Sequence, residues 1–152
     1  MIKISRMADY ALLLVFKMSG RDELITLESL SELTILPLPT VRKLMRALTQ
    51  HHLVESVRGP HGGYKLSSQP DQISIAEVIE AIDGPIALTE CVKLDGGDCE
   101  IANTCDLKGN WNIVNRLISN ALHNVKLDAM GHMPMDVKHL KSALITVSDH
   151  NQ

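Results

Sequence analysis

The sequence predicts a mainly α-helical protein, a winged helix-turn-helix with a two-stranded wing followed by a long C-terminal dimerisation helix. Three observations carry that prediction. Two helix-patterned segments meet at the turn Thr34-Ile35-Leu36-Pro37-Leu38-Pro39, and the second of them has a polar face. The glycine-rich segment Gly59-Pro60-His61-Gly62-Gly63 joins two short strand-patterned runs. Beyond about Lys108, Trp111, Val114, Leu117, Ile118, Ala121, Leu122 and Val125 recur at helical spacing.

Taken in order, residues 7–19 offer a wide apolar face made of Met7, Ala8, Ala11, Leu12, Val15, Phe16 and Met18. Thr26 is placed to cap a short second helix, in which Leu27, Leu30 and Leu33 recur every three residues and Glu28 lies in the favourable first turn. After the turn, Pro39 suits the start of a third helix that runs to about Gln50. Its Val41, Leu44 and Leu48 face inward, and Thr40, Arg42, Lys43, Arg46 and Gln50 fall on the other side. His51-His52 reads as the helix end. Leu53 to Arg58 then reads as a strand and Tyr64 to Leu66 as its return. Ser74 and Glu77 have the spacing of a capping box, and Gly84-Pro85 ends that helix. The expected organisation is a DNA-binding domain over 1–84, a cysteine-bearing loop over 85–107, a dimerisation helix over 108–130, and a tail over 131–152 whose role the sequence leaves open.

Composition narrows the class. Apolar residues make up 45% of the chain and aromatic ones 3%, so the core is aliphatic. The longest apolar run, Ala11 to Phe16, lies between Asp9 and Lys17. It is far short of the roughly 20 residues that span a bilayer, so the expectation is a cytoplasmic protein without a membrane partner. The net charge of −3 conceals an asymmetry: residues 1–66 hold nine Lys and Arg against six Asp and Glu, and residues 67–152 hold six against twelve. Within Leu36–Leu66 the basic residues are Arg42, Lys43, Arg46, Arg58 and Lys65, against Glu55 alone. A basic surface on one half suits an anionic partner.

The pattern gives that partner a form. A helix fits the major groove and can present side chains to base edges, while a wing reaches phosphates or the neighbouring minor groove. Arg42, Lys43 and Arg46 lie within about one turn of each other, with Thr40 beside them. Arg58 and His61 fall at the wing, where Gly62 and Gly63 let the backbone approach a duplex. There is no nucleophile–base motif and no phosphate-cradling loop, so an enzyme is not expected.

Cys91, Cys99 and Cys105 are separated by seven and five residues on a segment that also holds Gly96 and Gly97. An odd, clustered set of thiols points to metal or redox chemistry rather than a disulfide framework. Thiolates suit iron–sulfur clusters and zinc alike. Zinc calls for four firm ligands and no nearby histidine supplies the fourth; a thiol switch using two of the three remains open.

The segment Ser56-Val57-Arg58-Gly59-Pro60-His61-Gly62-Gly63-Tyr64-Lys65-Leu66 closely resembles the wing of the Rrf-two family of bacterial winged-helix regulators. Ile4-Ser5-Arg6 with Asp9-Tyr10-Ala11, and Ile75 through Ile82, are similar to the same family, so the resemblance covers about residues 1–130. It implies a homodimer crossed through the C-terminal helix, bound to a roughly palindromic double-stranded DNA operator, with Tyr64 among the wing residues at the duplex. The cluster-sensing branch carries three cysteines in this place. That implies an iron–sulfur cluster on Cys91, Cys99 and Cys105, 2Fe-2S in the first instance and 4Fe-4S as the alternative, with cluster-assembly proteins as its donors. One branch has a histidine three residues after its last cysteine, and here that position is Lys108. Another takes its fourth ligand from an aspartate of the partner's first helix, and Asp9 stands at the matching place; the competing reading of Asp9 is a simple first-turn acid. Glu100, Asp106 and His123 are lesser candidates. His61 and the proline-rich turn depart from the common pattern. The run from Gly109-Asn110-Trp111 to Met130 resembles regulators of SUF-type cluster-assembly genes. Two other classes stay open beside this one: a cluster carrier or electron-transfer protein, and a zinc-containing winged-helix adaptor. Trp111 is expected to be a core anchor where the long helix meets the loop.

Overall fold

The computed structural model describes residues 3–93, 98–101 and 103–131. Gly96, Gly97 and the tail from residue 132 therefore lie outside the described residues. The helices are α1 (Arg6–Met18), α2 (Leu27–Thr34), α3 (Leu38–Gln50), α4 (Ile75–Asp83), α5 (Lys108–Asn124) and α6 (Leu127–Met130), with a short 3-10 turn at Glu90–Val92. Between α3 and α4 lies an antiparallel hairpin of β1 (Val54–Val57) and β2 (Gly63–Leu66).

Local side chains set most of these boundaries. Ser5 caps α1 by accepting from the Ala8 N–H at 3.0 Å, and its own hydroxyl donates to Asp83 Oδ1 at 2.7 Å, which ties the start of α1 to the end of α4. Thr26 caps α2 through the Ser29 N–H at 3.2 Å. The predicted capping box of α4 is complete. Ser74 Oγ accepts from the Glu77 N–H, and the Ser74 N–H and Oγ–H both donate to Glu77 Oε2 at 2.7 and 2.6 Å. Gly84 ends α4 with φ 84°, a value that suits a residue without a Cβ. In α3, Pro37 is the cap and Pro39 lies within the first two helical positions, as its fixed φ and missing N–H allow.

One aliphatic core joins α1, α2, α3, α4 and the hairpin. Leu14, Val15, Leu30, Val41, Leu44, Met45, Leu48, Val54 and Val78 are all fully or almost fully buried in it. Met45 fills core space beside the expected Val41, Leu44 and Leu48, as its flexible thioether allows. The wing is pinned to this core near the start of β2, where Tyr64 exchanges backbone hydrogen bonds of 2.8 and 2.9 Å with Ile25.

The C-terminal helix differs from expectation in two ways. It stops at Asn124 rather than continuing to Met130. Val125 and Lys126 leave helical geometry for an extended backbone, so that Val125 and Leu127 bury their side chains and the backbone pairs with the entry to α4: Ile75 N–H donates to Val125 O at 3.0 Å and Leu127 N–H to Ile73 O at 2.8 Å. Burial of two aliphatic side chains and a short ladder outweigh another helical turn. Second, Trp111 is no core anchor: it is 38% exposed, on a helix with no buried residue.

Candidate nucleic-acid interface and cysteine loop

α2 and α3 are joined by Ile35, Leu36 and Pro37, and Ile35 takes a left-handed backbone with φ 59°. This tight reversal lays α3 across α2 and leaves one face of α3 outside the core. Arg42, Lys43 and Arg46 are exposed on that face, and Thr40 is half-buried at its edge. No acidic partner holds any of the three cations among the salt bridges of the described residues. Their charge is therefore available to an anionic ligand.

The wing separates its expected residues into two groups. Arg58 and His61 are exposed at the hairpin tip, beside the exposed Gly59 and Pro60. Gly62, Gly63 and Tyr64 are half-buried and turn toward the protein. A Cβ on Gly62 would collide with the Val57 carbonyl, and one on Gly63 would come within 2.9 Å of the Ile25 carbonyl. The two glycines therefore let the hairpin close and dock. Tyr64 packs against the core edge and anchors the wing. Farther down the hairpin, Lys65 pairs with Glu55 across the strands at 3.2 Å, both half-exposed, a contact of small energetic weight.

The cysteine loop runs from the end of α4 to the start of α5. Its first part is fastened by Asn115 of α5, which accepts from the Leu88 N–H through Oδ1 at 2.9 Å and donates from Nδ2 to Ile86 O at 3.0 Å. Sequence reasoning assigned Asn115 no role; its signal was an amide placed among the apolar positions of an amphipathic helix. Cys91 lies in the 3-10 turn with its Sγ 3.2 Å from Thr89 Oγ1. Cys91, Cys99 and Cys105 are all free thiols and all half-buried. Three unpaired soft donors on one loop fit an iron–sulfur cluster by the chemistry of the donor set. Among the described residues no three His, Cys, Asp or Glu side chains stand together as a metal site, so thiol chemistry rather than a preformed cage carries that fit. Asp9 is exposed on the first turn of α1. Glu100 and Asp106 are exposed near the cysteines. His123 is committed instead to the α4–α5 seam, with Nδ1 2.9 Å from Ser119 O and Nε2 3.6 Å from Glu80 Oε2.

A short helix-turn-helix with a basic outer face beside a basic-tipped hairpin defines a winged-helix DNA-binding module. Among the described residues no helix is long and apolar enough to cross a membrane. The comparisons agree with that class. The family model described as "Rrf2: Iron-dependent Transcriptional regulator" matches residues 4–132, and the chain belongs to this family of winged-helix transcriptional regulators. It is a regulator, not an enzyme, as the motifs led us to expect. An HTH-type transcriptional regulator IscR of Sodalis glossinidius is 35% identical over 122 residues, covering 80% of this chain and 72% of its own. Solved structures are similar over nearly the same span. The global cysteine regulator CymR of B. subtilis has a TM-score of 0.64 at 28% identity, covering 84% of this chain and 95% of its own. T. potens IscR has a TM-score of 0.62 at 26% identity, covering 85% of each.

Proposed function

We propose that this chain is an iron–sulfur-cluster-dependent transcription regulator that binds a double-stranded operator as a homodimer and controls SUF-type cluster-assembly genes. The observation that carries the reading is the trio of free, half-buried thiols on a loop fastened to α5 by Asn115. Cys91, Cys99 and Cys105 would hold the cluster, 2Fe-2S before 4Fe-4S, with assembly proteins as donors. Asp9, exposed on α1, is available to a second copy as the fourth ligand. When bound, such a group supplies oxidisable, exchangeable iron whose gain or loss reports on the cell's iron and redox state.

The residues of this chain then do the coupling. Asn115 transmits a displacement of the loop to α5, whose exposed apolar face is the dimer surface. The dimer sets the distance between two copies of α3, and hence operator affinity. Thr40, Arg42, Lys43 and Arg46 face the major groove, while Arg58 and His61 reach the flanking backbone; Gly62, Gly63 and Tyr64 shape and hold the wing there. The family model's description as iron-dependent supports this reading, as does the charge asymmetry between the two halves.

Anaerobic purification followed by an absorption spectrum, with iron and acid-labile sulfide assayed on the same sample, tests the proposal. The expected result is visible charge-transfer bands with matching iron and sulfide, lost in Cys91→Ala together with the iron dependence of operator binding. A colourless protein after anaerobic reconstitution would overturn the sensing half and leave the DNA-binding half standing. Stoichiometric zinc without duplex binding at low salt would favour a winged-helix adaptor instead.

A further inference from the structure

The outward stripe of α3 does not begin with a charge. At 3.6 residues per turn, Pro39, Arg42, Lys43, Arg46 and Gln50 fall within a sector of about 100°. All five are exposed. Pro39 is thus the leading residue of the stripe, one turn ahead of Arg42 and Lys43. Its ring has no N–H, and the Thr40 and Val41 amides that follow are both turned back onto the Pro37 carbonyl, at 2.9 and 3.1 Å. Pro37 caps the helix with no side-chain hydrogen bond. At Pro39 the stripe therefore presents hydrocarbon, with the half-buried Thr40 at its edge, where a hydroxyl cap or free amides would hold a phosphate.

Ile35, in the preceding turn, extends this chemistry. It is 91% exposed and sits at φ 59°, a conformation that a β-branched residue adopts only at a cost. Neither burial nor backbone ease accounts for an isoleucine there. Its surroundings point to an occupant. Pro39 leads a stripe whose three cations have no acidic partner among the described residues, so whatever covers that stripe is polyanionic along it and apolar at its end. A thymine-bearing major groove has that combination: phosphates flank it, and the 5-methyl group is the one base-specific feature that a side chain without donor or acceptor can read.

We propose that Pro39, with Ile35 beside it in the turn, is a specificity-determining contact that packs against a thymine 5-methyl group in each operator half-site. This inference rests on the reading of α3 as the groove-facing helix and adds to it the base that the leading turn selects. Arg42, Lys43 and Arg46 supply affinity and guanine contacts; the apolar tip distinguishes thymine from cytosine.

The test uses the full chain and a duplex recovered with it from a random-sequence pool, remade with each thymine in turn replaced by deoxyuridine, which removes the methyl alone. For the wild type, at least one replacement per half-site is expected to weaken binding about fourfold, the cost of leaving one buried methyl group uncovered. In Pro39→Ser the same replacement should cost nothing, because the contact is already gone, and in Ile35→Gly it should cost less than in the wild type. Ile35→Gly suits the positive φ, so its thermal midpoint should not fall, and weaker binding would not reflect unfolding. Equal penalties in wild type and both variants, or no penalty at any thymine, would overturn the inference. If Arg42→Ala and Arg46→Ala still weaken binding in that case, the groove-facing reading survives and the methyl contact alone is lost. If they do not, or if the pool yields no duplex, α3 is not the reading helix and both fall, leaving a protein partner as the occupant of the apolar tip.

Discussion

The two halves of this chain treat the same kind of side chain in opposite ways. In α1 to α4, aliphatic residues such as Leu14, Leu30, Leu44 and Leu48 disappear into a closed core. In α5 the apolar positions are just as regular, yet Val114 is 38% and Leu117 43% exposed and no residue of the helix is buried. Periodicity is thus a statement about which residues share a face, and says nothing about whether that face is covered within the chain. The first half is a complete hydrophobic solution. The second is half of one, and it also carries the thiols. A closed head joined to an arm with an open apolar face is a sensible division for a regulator, because such an arm can be repositioned without melting the head.

The strongest way to break that comparison is to charge the open face. Leu117→Glu should leave the helical content unchanged and convert the protein to a monomer in sedimentation velocity. Loss of bivalent engagement should then weaken operator binding by about 100-fold or more. A dimer that survives the charge would mean that α5 is covered by something other than its own copy. The reciprocal change in the closed half acts on folding instead. Leu44→Ala removes a side chain that is 1% exposed and should cost about 2–5 kcal/mol in urea unfolding, with dimerisation of the folded fraction preserved.

A smaller effect sharpens the division of labour on the head itself. Arg42→Ala should weaken binding by about 1–3 kcal/mol and relax the preference at one base if the guanidinium reads a base edge. Lys43→Ala should instead weaken all duplexes alike and lower the salt slope by about one, as the loss of a phosphate contact does. An unchanged footprint and an unchanged salt slope would remove both residues from the interface.

What the residues disclosed before folding, and what they did not, divides along the range of the forces involved. The caps at Thr26 and Ser74 and the stop at Gly84 could be read directly, because each is decided within a few residues by hydrogen bonding or by backbone freedom. The outward, basic side of α3 was equally readable from charge and period. The end of α5 was not. Val125 continues the apolar period, but its fate is set by the backbone of Ile75, fifty residues earlier. Trp111 was misjudged for a related reason, since a large apolar side chain signals burial without saying in which chain. The wing glycines looked like a surface made for DNA; the carbonyls of Val57 and Ile25 show that close backbone approach within the protein already requires them. Asn115 and the exposure of Ile35 depend on contacts, or on their absence, that no local pattern encodes.

The smallest predicted effect lies at the joint between the two regions, where Ser74 and Glu77 start α4 and the strand-like residues after α5 come back to meet it. Burial by itself would raise the Glu77 carboxyl. The hydrogen bonds from the Ser74 hydroxyl and N–H, helped by the nearby charges of Lys126 and His123, outweigh it and hold the group below its ordinary value of 4.5. The folded protein therefore binds this proton less readily than the unfolded chain. The box contributes stability above the unfolded value, and that contribution is lost as the pH falls through the lower folded value. Glu77→Ala should accordingly be less stable than wild type near neutrality in urea titrations, and the difference should shrink as the pH is taken well below 4.5. Ser74→Ala, which removes the cap as well, should cost about 1 kcal/mol at neutral pH. A gap between wild type and Glu77→Ala that stays constant across that range would mean that the carboxylate's charge contributes nothing to the joint, which the Ser74 cap and the backbone ladder of residues 125–127 would then hold.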